Sequence, residues 1–279
     1  MKETPKYTAP TNQLINKSTS QLIKYTLHLA DNALILGQRN AEWTGHGPVL
    51  EQDIAISNIA LDLIGQARNF YQYAARLTNE TTDQPISQST NQPATEDTLA
   101  YLRDSRDFKN CLLVELDKGD WARTVLRQFF FSNYQCCLYE VMKNSKDPTL
   151  AAIAEKSLKE VMYHLRWSAE WVIRLGDGTT ESHQRISTAL LDLWPYTGEL
   201  MTNASYEKYL SHEHIAVDLD SIKQPWLDKT TAVLQEATLR LPPNQWMQDG
   251  GKEGNHTEHL DYILMEMQYL QRTYPGVEW

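Results

Sequence analysis

Apolar positions recur every three and four residues over long stretches of this chain, and nowhere do they alternate as a sheet strand would require. From Ser18 the series Leu22, Tyr25, Leu29, Asn32 and Leu36 keeps the helical step, and Leu27, Leu34 and Ile35 widen the stripe beyond what a surface helix needs. This predicts a largely buried first helix ending near Trp43, where Thr-Gly-His-Gly-Pro supplies two glycines and a proline. A second helix over residues 50–77 carries Ile56, Ala60, Leu63, Ala67, Phe70, Ala74 and Leu77 in alternating steps of four and three. Residues 79–96 are rich in Thr, Gln, Ser and Pro, with Ile86 the one large aliphatic side chain, and read as a solvated loop insertion.

Residues 98–118 are mixed. Their run Cys-Leu-Leu-Val-Glu-Leu reads as a strand or an extended packing piece. A third helix is predicted over 120–145 with Asp120 as its N-cap. A fourth runs from Pro148, a first-turn proline, to residue 175, where Gly-Asp-Gly closes it. Further helices follow over 181–201 and 219–241, and a last one begins near Asn255, where Asn255 and Glu258 have capping-box spacing. Residues 1–17 mix Pro, Thr, Asn and Lys without period and are expected to be a flexible tail. The predicted architecture is all-α: two antiparallel hairpins form a four-helix bundle within a single domain over 18–279, with additional carboxyl-terminal helices packed outside it.

In antiparallel hairpins, residues equidistant from the turn share a height. The first turn is centred near residues 46 and 47, which sets Asp31 level with Asp62. The second is centred near Asp147, which sets Asn133 level with Glu160. Each interrupts an apolar ridge. Asp31 falls between Leu27 and Leu34/Ile35, Asp62 one turn from Ile59, Asn133 between Phe129 and Cys136/Cys137, and Glu160 between Ile153 and Trp167.

One inward carboxylate-type residue per helix at one height is the first half of a di-iron bundle site. The second half, Glu-x-x-His on two helices, is missing. The second helix offers Asp62-x-x-Gly65 with Gln66 next, and the fourth offers Glu160-x-x-Tyr163 with His164 one residue late. The layer Asp31, Asp62, Gly65, Asn133, Glu160, Tyr163 and His164 therefore reads as a degenerate site, a satisfied polar network with no catalytic, cofactor or metal-binding residue. Its buried carboxylates need partners, for which His164, Lys24, Lys156 and Arg68 are candidates.

Composition narrows the function. Among 279 residues, 26 Lys+Arg face 36 Asp+Glu, a net charge of −10, which argues against a nucleic-acid binder. With 41% hydrophobic and 22% charged residues the chain can build a sizeable core, and no apolar run approaches about 18 residues. The first residues carry no apolar signal core, and Cys111, Cys136 and Cys137 form no paired motif, so a reducing cytoplasm is expected. His256-x-x-His259 opens the last helix and reads as capping plus a surface-facing pair. Asp-Gly-Gly-Lys-Glu-Gly at 249–254 lacks the ending and the preceding strand of a phosphate loop.

The carboxyl-terminal Gly-Gly-Lys-Glu-Gly-Asn-His-Thr-Glu-His-Leu, together with Tyr-Thr-Leu-His-Leu-Ala-Asp-Asn at 25–32 and Ala-Glu-Trp-Thr-Gly-His-Gly-Pro at 41–48, resembles a known family. The likeness continues through Asn-Ile-Ala-Leu-Asp-Leu-Ile-Gly-Gln-Ala-Arg at 58–68 and Lys-Glu-Val-Met-Tyr-His-Leu-Arg-Trp at 159–167, and it closes on Tyr-Pro-Gly-Val-Glu-Trp. These segments look like the structural C subunits of bacterial phenylacetyl-CoA 1,2-epoxidase, a ring oxygenase of aerobic phenylacetate catabolism. The resemblance implies a ferritin-like subunit that binds no iron itself. It further implies a tight heterodimer with a catalytic A subunit that holds the di-iron centre and the acyl-CoA. A small B subunit and a transiently docking reductase with FAD, an iron-sulfur cluster and NADPH would complete the complex. Some of Trp121, Trp171, Trp194, Trp226, Trp246 and Trp279 are then expected to anchor the interface. The competing readings are a stand-alone ferritin-like oxidase using Asp31, Asp62, Glu160 and His164, and a helical adaptor unconnected with oxygen chemistry.

Overall fold

Two long helical hairpins organise the chain, α1 (Thr11–Ala41) with α2 (Leu50–Thr81) and α5 (Trp121–Met142) with α6 (Pro148–Gly176). The computed structural model describes residues 11–81, 93–243 and 246–277, of which 11–16 are described as backbone only. No strand occurs among the described residues, so the all-α, ferritin-like expectation holds.

Two of the four helices are central. Every residue from His28 to Gly37 and from Thr124 to Gln135 is buried, so α1 and α5 are packed on all sides, whereas α2 and α6 keep an exposed face. Against α1 lie α4 (Leu112–Glu115) and α8 (Ser205–His212), while α3 (Glu96–Tyr101) packs on α2, and α10 (Glu258–Thr273) on α3 and α4. Against α5 lie α7 (Thr180–Leu193) and α9 (Leu219–Glu236). Gly37 lets α1 and α2 approach closely, since a Cβ there would sit 3.2 Å from Ile64 Cγ1 and 3.3 Å from the Ala60 carbonyl.

At one end of the bundle all four helices meet in an indole cluster. Trp121 stands edge-on to Trp43 at 5.0 Å, to Trp171 at 5.6 Å and to Trp167 at 5.8 Å. Gln52 Oε1 accepts from Trp171 at 2.7 Å and from Trp167 at 3.0 Å. Edge-to-face pairs contribute roughly 0.5–1.5 kcal/mol each beyond their burial, enough to fix the register of the two hairpins.

The caps match the predicted helix starts. Asp120 accepts from Arg123 N at 3.0 Å, and Asp147 accepts from Thr149 N and Leu150 N at 2.9 Å, with Pro148 following it.

Several boundaries differ from expectation. The first helix begins at Thr11, so residues 11–17 are helical although they lack apolar period. Of the polar stretch, 79–81 continue α2, 82–92 lie outside the described residues, and Thr95 caps α3. Cys-Leu-Leu-Val-Glu-Leu is neither strand nor extended piece. It contains the single-turn helix α4, whose residues are all buried, so it carries no periodicity to read. The predicted 181–201 helix stops at Leu193, where Pro195 lacks the N–H that would continue it, and two 3-10 turns follow. α9 ends at Glu236, and α8 has no counterpart among the predicted elements. α10 starts at Glu258 with Thr257 before it, so the Asn255–Glu258 capping box does not form.

Candidate functional site

The predicted polar layer separates into three places. On the α2–α6 seam, His164 Nε2 donates to Asp62 Oδ2 at 2.9 Å, and Gln66 Nε2 donates to Glu160 Oε2 at 2.9 Å. From α5, Gln135 Nε2 and the Tyr139 hydroxyl approach Gln66 Oε1 at 3.4 and 3.5 Å. His164 is fully buried and its Nδ1 has no hydrogen-bond partner, while the Asp62 side chain is 37% exposed at the rim. Gly65 and Tyr163, which stand where Glu-x-x-His would have its histidines, are both exposed and turned away from this seam.

Asp31 and Asn133 point elsewhere. Asp31 faces the segment after α3, where Arg103 Nη1 (3.1 Å), Arg103 Nη2, the Tyr71 hydroxyl (2.5 Å) and Lys109 N (2.8 Å) all donate to it. Burial works against the charge of Arg103, but the Asp31 carboxylate outweighs it and raises the guanidinium pKa further. Asn133 turns to α9, donating to Trp226 O at 2.9 Å and to Thr230 Oγ1 at 3.0 Å. The cause is the burial of α1 and α5 on every side: an apolar ridge there does not say which of two packed faces a polar residue joins. Of the four candidate partners only His164 pairs with a layer carboxylate. Arg68 pairs with Glu96 at 3.4 Å, and Lys24 and Lys156 are exposed.

An iron site does not fit these residues. The seam offers two carboxylates and one imidazole, each already bonded within the chain, and amides fill the remaining positions. Among the described residues no group of three or more His, Cys, Asp or Glu could hold a metal ion.

The carboxyl-terminal glycine motif builds a second polar centre, which sequence reasoning passed over. Glu199 Oε1 accepts from Gly250 N and Lys252 N at 3.0 and 3.1 Å, and its Oε2 accepts from Leu112 N at 2.7 Å. The backbone donors that would cradle a phosphate are thus spent on a glutamate of the same chain. Gly251 must be glycine, because a Cβ there would lie 2.3 Å from Asn110 O. Lys252 Nζ reaches Glu207 Oε2 and Thr202 O, both at 2.9 Å, and Glu207 also faces His28 at 3.7 Å.

His256 is not on the surface. Its Nδ1 meets Glu115 Oε2 at 2.7 Å and its Nε2 meets Phe108 O at 3.0 Å, so both nitrogens face acceptors, an arrangement that favours the doubly protonated imidazolium. Glu115 accepts from Asn110 Nδ2 and from Thr257 N and Oγ1 as well.

A family model described as phenylacetic acid catabolic protein matches residues 1–279. The chain belongs to that family. It is also similar to the C subunit of 1,2-phenylacetyl-CoA epoxidase from Escherichia coli (strain K12), 47% identical over 260 residues, which is 93% of this chain and all of that relative. In this phenylacetic acid catabolic protein the glycine motif is a clamp that fastens α10 to α1 through the segment 106–115.

The clamp is pH-sensitive in a defined direction. Burial lowers the His256 pKa, but the Glu115 carboxylate and the Phe108 carbonyl raise it by more, leaving it above its ordinary value. A raised folded-state pKa gives stability that is complete below about 6.5 and lost as pH climbs through the folded value. The wild-type thermal midpoint should fall on alkaline titration from near neutrality, and His256→Gln should flatten that slope. Parallel pH profiles for the two proteins would refute the assignment.

The tryptophans divide. Trp194 and Trp226 are core, stacked at 6.1 Å; Trp121 and Trp171 belong to the indole cluster; Trp246 is 74% exposed; Trp279 lies outside the described residues. No described helix is long and apolar enough to cross a membrane.

Proposed function

We propose that this chain is the non-catalytic structural C-type component of the multicomponent di-iron monooxygenase that epoxidises the ring of phenylacetyl-CoA in aerobic phenylacetate catabolism. It pairs with an iron-bearing A subunit, and a small B subunit and an NADPH-dependent reductase carrying FAD and an iron-sulfur cluster act with the pair in the cytoplasm. The observation that carries this is chemical: Gln66 and Gln135 stand in the bundle interior beside Glu160, where a di-iron site would need carboxylates and imidazoles. An amide supplies no negative charge to balance ferric iron.

The proposal is tested by co-expressing the chain with its partner subunits, separating them, loading each anaerobically with ferrous iron and measuring metal content. Iron is expected in the A subunit and none in this chain. Two irons per chain here, or turnover of phenylacetyl-CoA by this chain with reductase and NADPH alone, would sink it. One observation favours the alternative of a stand-alone ferritin-like protein with a divergent site: the unpartnered His164 Nδ1 beside a partly exposed Asp62. The same metal measurement decides between them.

A further inference from the structure

Four Lys and Arg side chains are buried among the described residues, and three of them lie against a carboxylate: Arg39 against Glu42 at 2.7 Å, Lys252 against Glu207 at 2.9 Å, and Arg103 against Asp31. Arg127 is the exception. It lies near the start of α5 with no exposed surface, and no carboxylate of the described residues forms an ion pair with it.

Its guanidinium is only half satisfied. Of the five N–H groups, those on Nη1 donate to Leu116 O at 2.8 Å and Asp117 O at 2.9 Å, and those on Nε and Nη2 meet no acceptor among the described residues. One turn earlier, Arg123 Nε is also buried without an acceptor. The carboxylates whose charge reaches Arg127 are engaged by other arginines, Glu42 by Arg39 and Asp117 by Arg123 at 3.0 Å. Burial, and then the charges of Arg39 and Arg123, pull the Arg127 pKa down to about 9, which still leaves it a cation at neutral pH. A buried cation without counter-charge is costly, and the other three show that this chain otherwise avoids one.

We infer that Arg127 Nε and Nη2 hold a small monovalent anion of the halide class, enclosed where α5 meets the 116–117 segment. Water would fill the donors but leave the charge unbalanced. A phosphate ester or a partner's carboxylate is tethered to a body that must stay outside, and Leu116, Leu126 and Gln128 beside Arg127 are buried as well, so no tethered group reaches it. A divalent oxyanion brings two charges to one unpaired guanidinium. A halide matches the charge, accepts from several donors at once and needs the least room.

Bromide replaces chloride and can be located by its anomalous scattering. Crystals of the full chain grown in bromide are expected to show an anomalous peak within hydrogen-bond reach of Arg127 Nε and Nη2. Ordinary solvent density there without anomalous signal overturns the proposal, and so do bromide peaks confined to the surface, an adventitious ion only. In solution, an ion that binds the folded chain alone stabilises it by mass action. With ionic strength held constant by gluconate, each tenfold rise in chloride above its dissociation constant is expected to multiply the folding equilibrium constant about tenfold in urea denaturation. Arg127→Met should lose that dependence. Indifference of the wild-type chain to chloride, or an equal dependence in Arg127→Met, overturns the assignment. The diffraction measurement uses the wild-type chain, so it decides the matter even where Arg127→Met does not fold.

Discussion

Lys252→Met is expected to destabilise the fold by about 3–5 kcal/mol, because it leaves the buried Glu207 carboxylate without its counter-ion. Burial opposes the charge on both partners, yet each holds the other ionised: Glu207 raises the Lys252 pKa, and Lys252 with His28 lowers that of Glu207. His28 cannot replace the lysine, since burial itself lowers the imidazole pKa and its Nε2 stands 3.7 Å away. Methionine keeps the volume of the stem, so the loss reports charge. Adding Glu207→Gln should return much of it, because no ion is then left buried. Chemical denaturation of the single and double variants measures both. A single-variant loss below about 1 kcal/mol, the range of an exposed pair, would show that the site is hydrated.

Asp31→Asn is the second large effect, with an expected loss again of about 3–5 kcal/mol. The amide is nearly isosteric and still accepts from the Tyr71 hydroxyl and Lys109 N, but the buried Arg103 guanidinium loses the carboxylate it is paired with. The sign discriminates between two readings of Asp31. Were it a ligand in an empty metal site, its charge would be unbalanced and the amide would stabilise the metal-free protein. Pairing with Arg103 makes the same change destabilising. A rise in the midpoint of denaturation in Asp31→Asn would refute the pairing, and partial recovery in Asp31→Asn/Arg103→Met would support it.

Individual residues show how far one-dimensional reading reaches. The antiparallel pairing of α1 with α2 follows from the helical pattern and the turn, but its register does not. Gly37 packs on Ala60 and Leu63 and Asp31 bonds Tyr71, so Asp31 lies about two turns from the height of Asp62 rather than level with it. It is the Asp62–His164 and Gln66–Glu160 bonds that tie α2 to α6. Direction does not follow, because the central turns of α1 and α5 are buried on all sides and their polar residues had several packed faces to choose from. Arg103, Glu115, Glu199 and Glu207 were missed for a related reason. They sit in short or irregular segments where no period flags a buried charge, and Glu115 and Glu207 meet their partners across more than 40 residues. The one signal was the Gly-Gly-Lys-Glu-Gly-Asn-His run itself, whose glycines permit close backbone approach and whose charges require buried partners.

The helical class, the two hairpins, the Asp120 cap, the first-turn Pro148 and the absence of Glu-x-x-His from the bundle helices were all legible in one dimension, because each depends on spacing along a single helix. The pairing of Asp31 with Arg103, the burial of His256 beneath the carboxyl-terminal helix and the outward position of Gly65 needed three dimensions. Those outcomes depend on which of several competing surfaces covers each helix face, a choice made by the packing of segments distant in the chain.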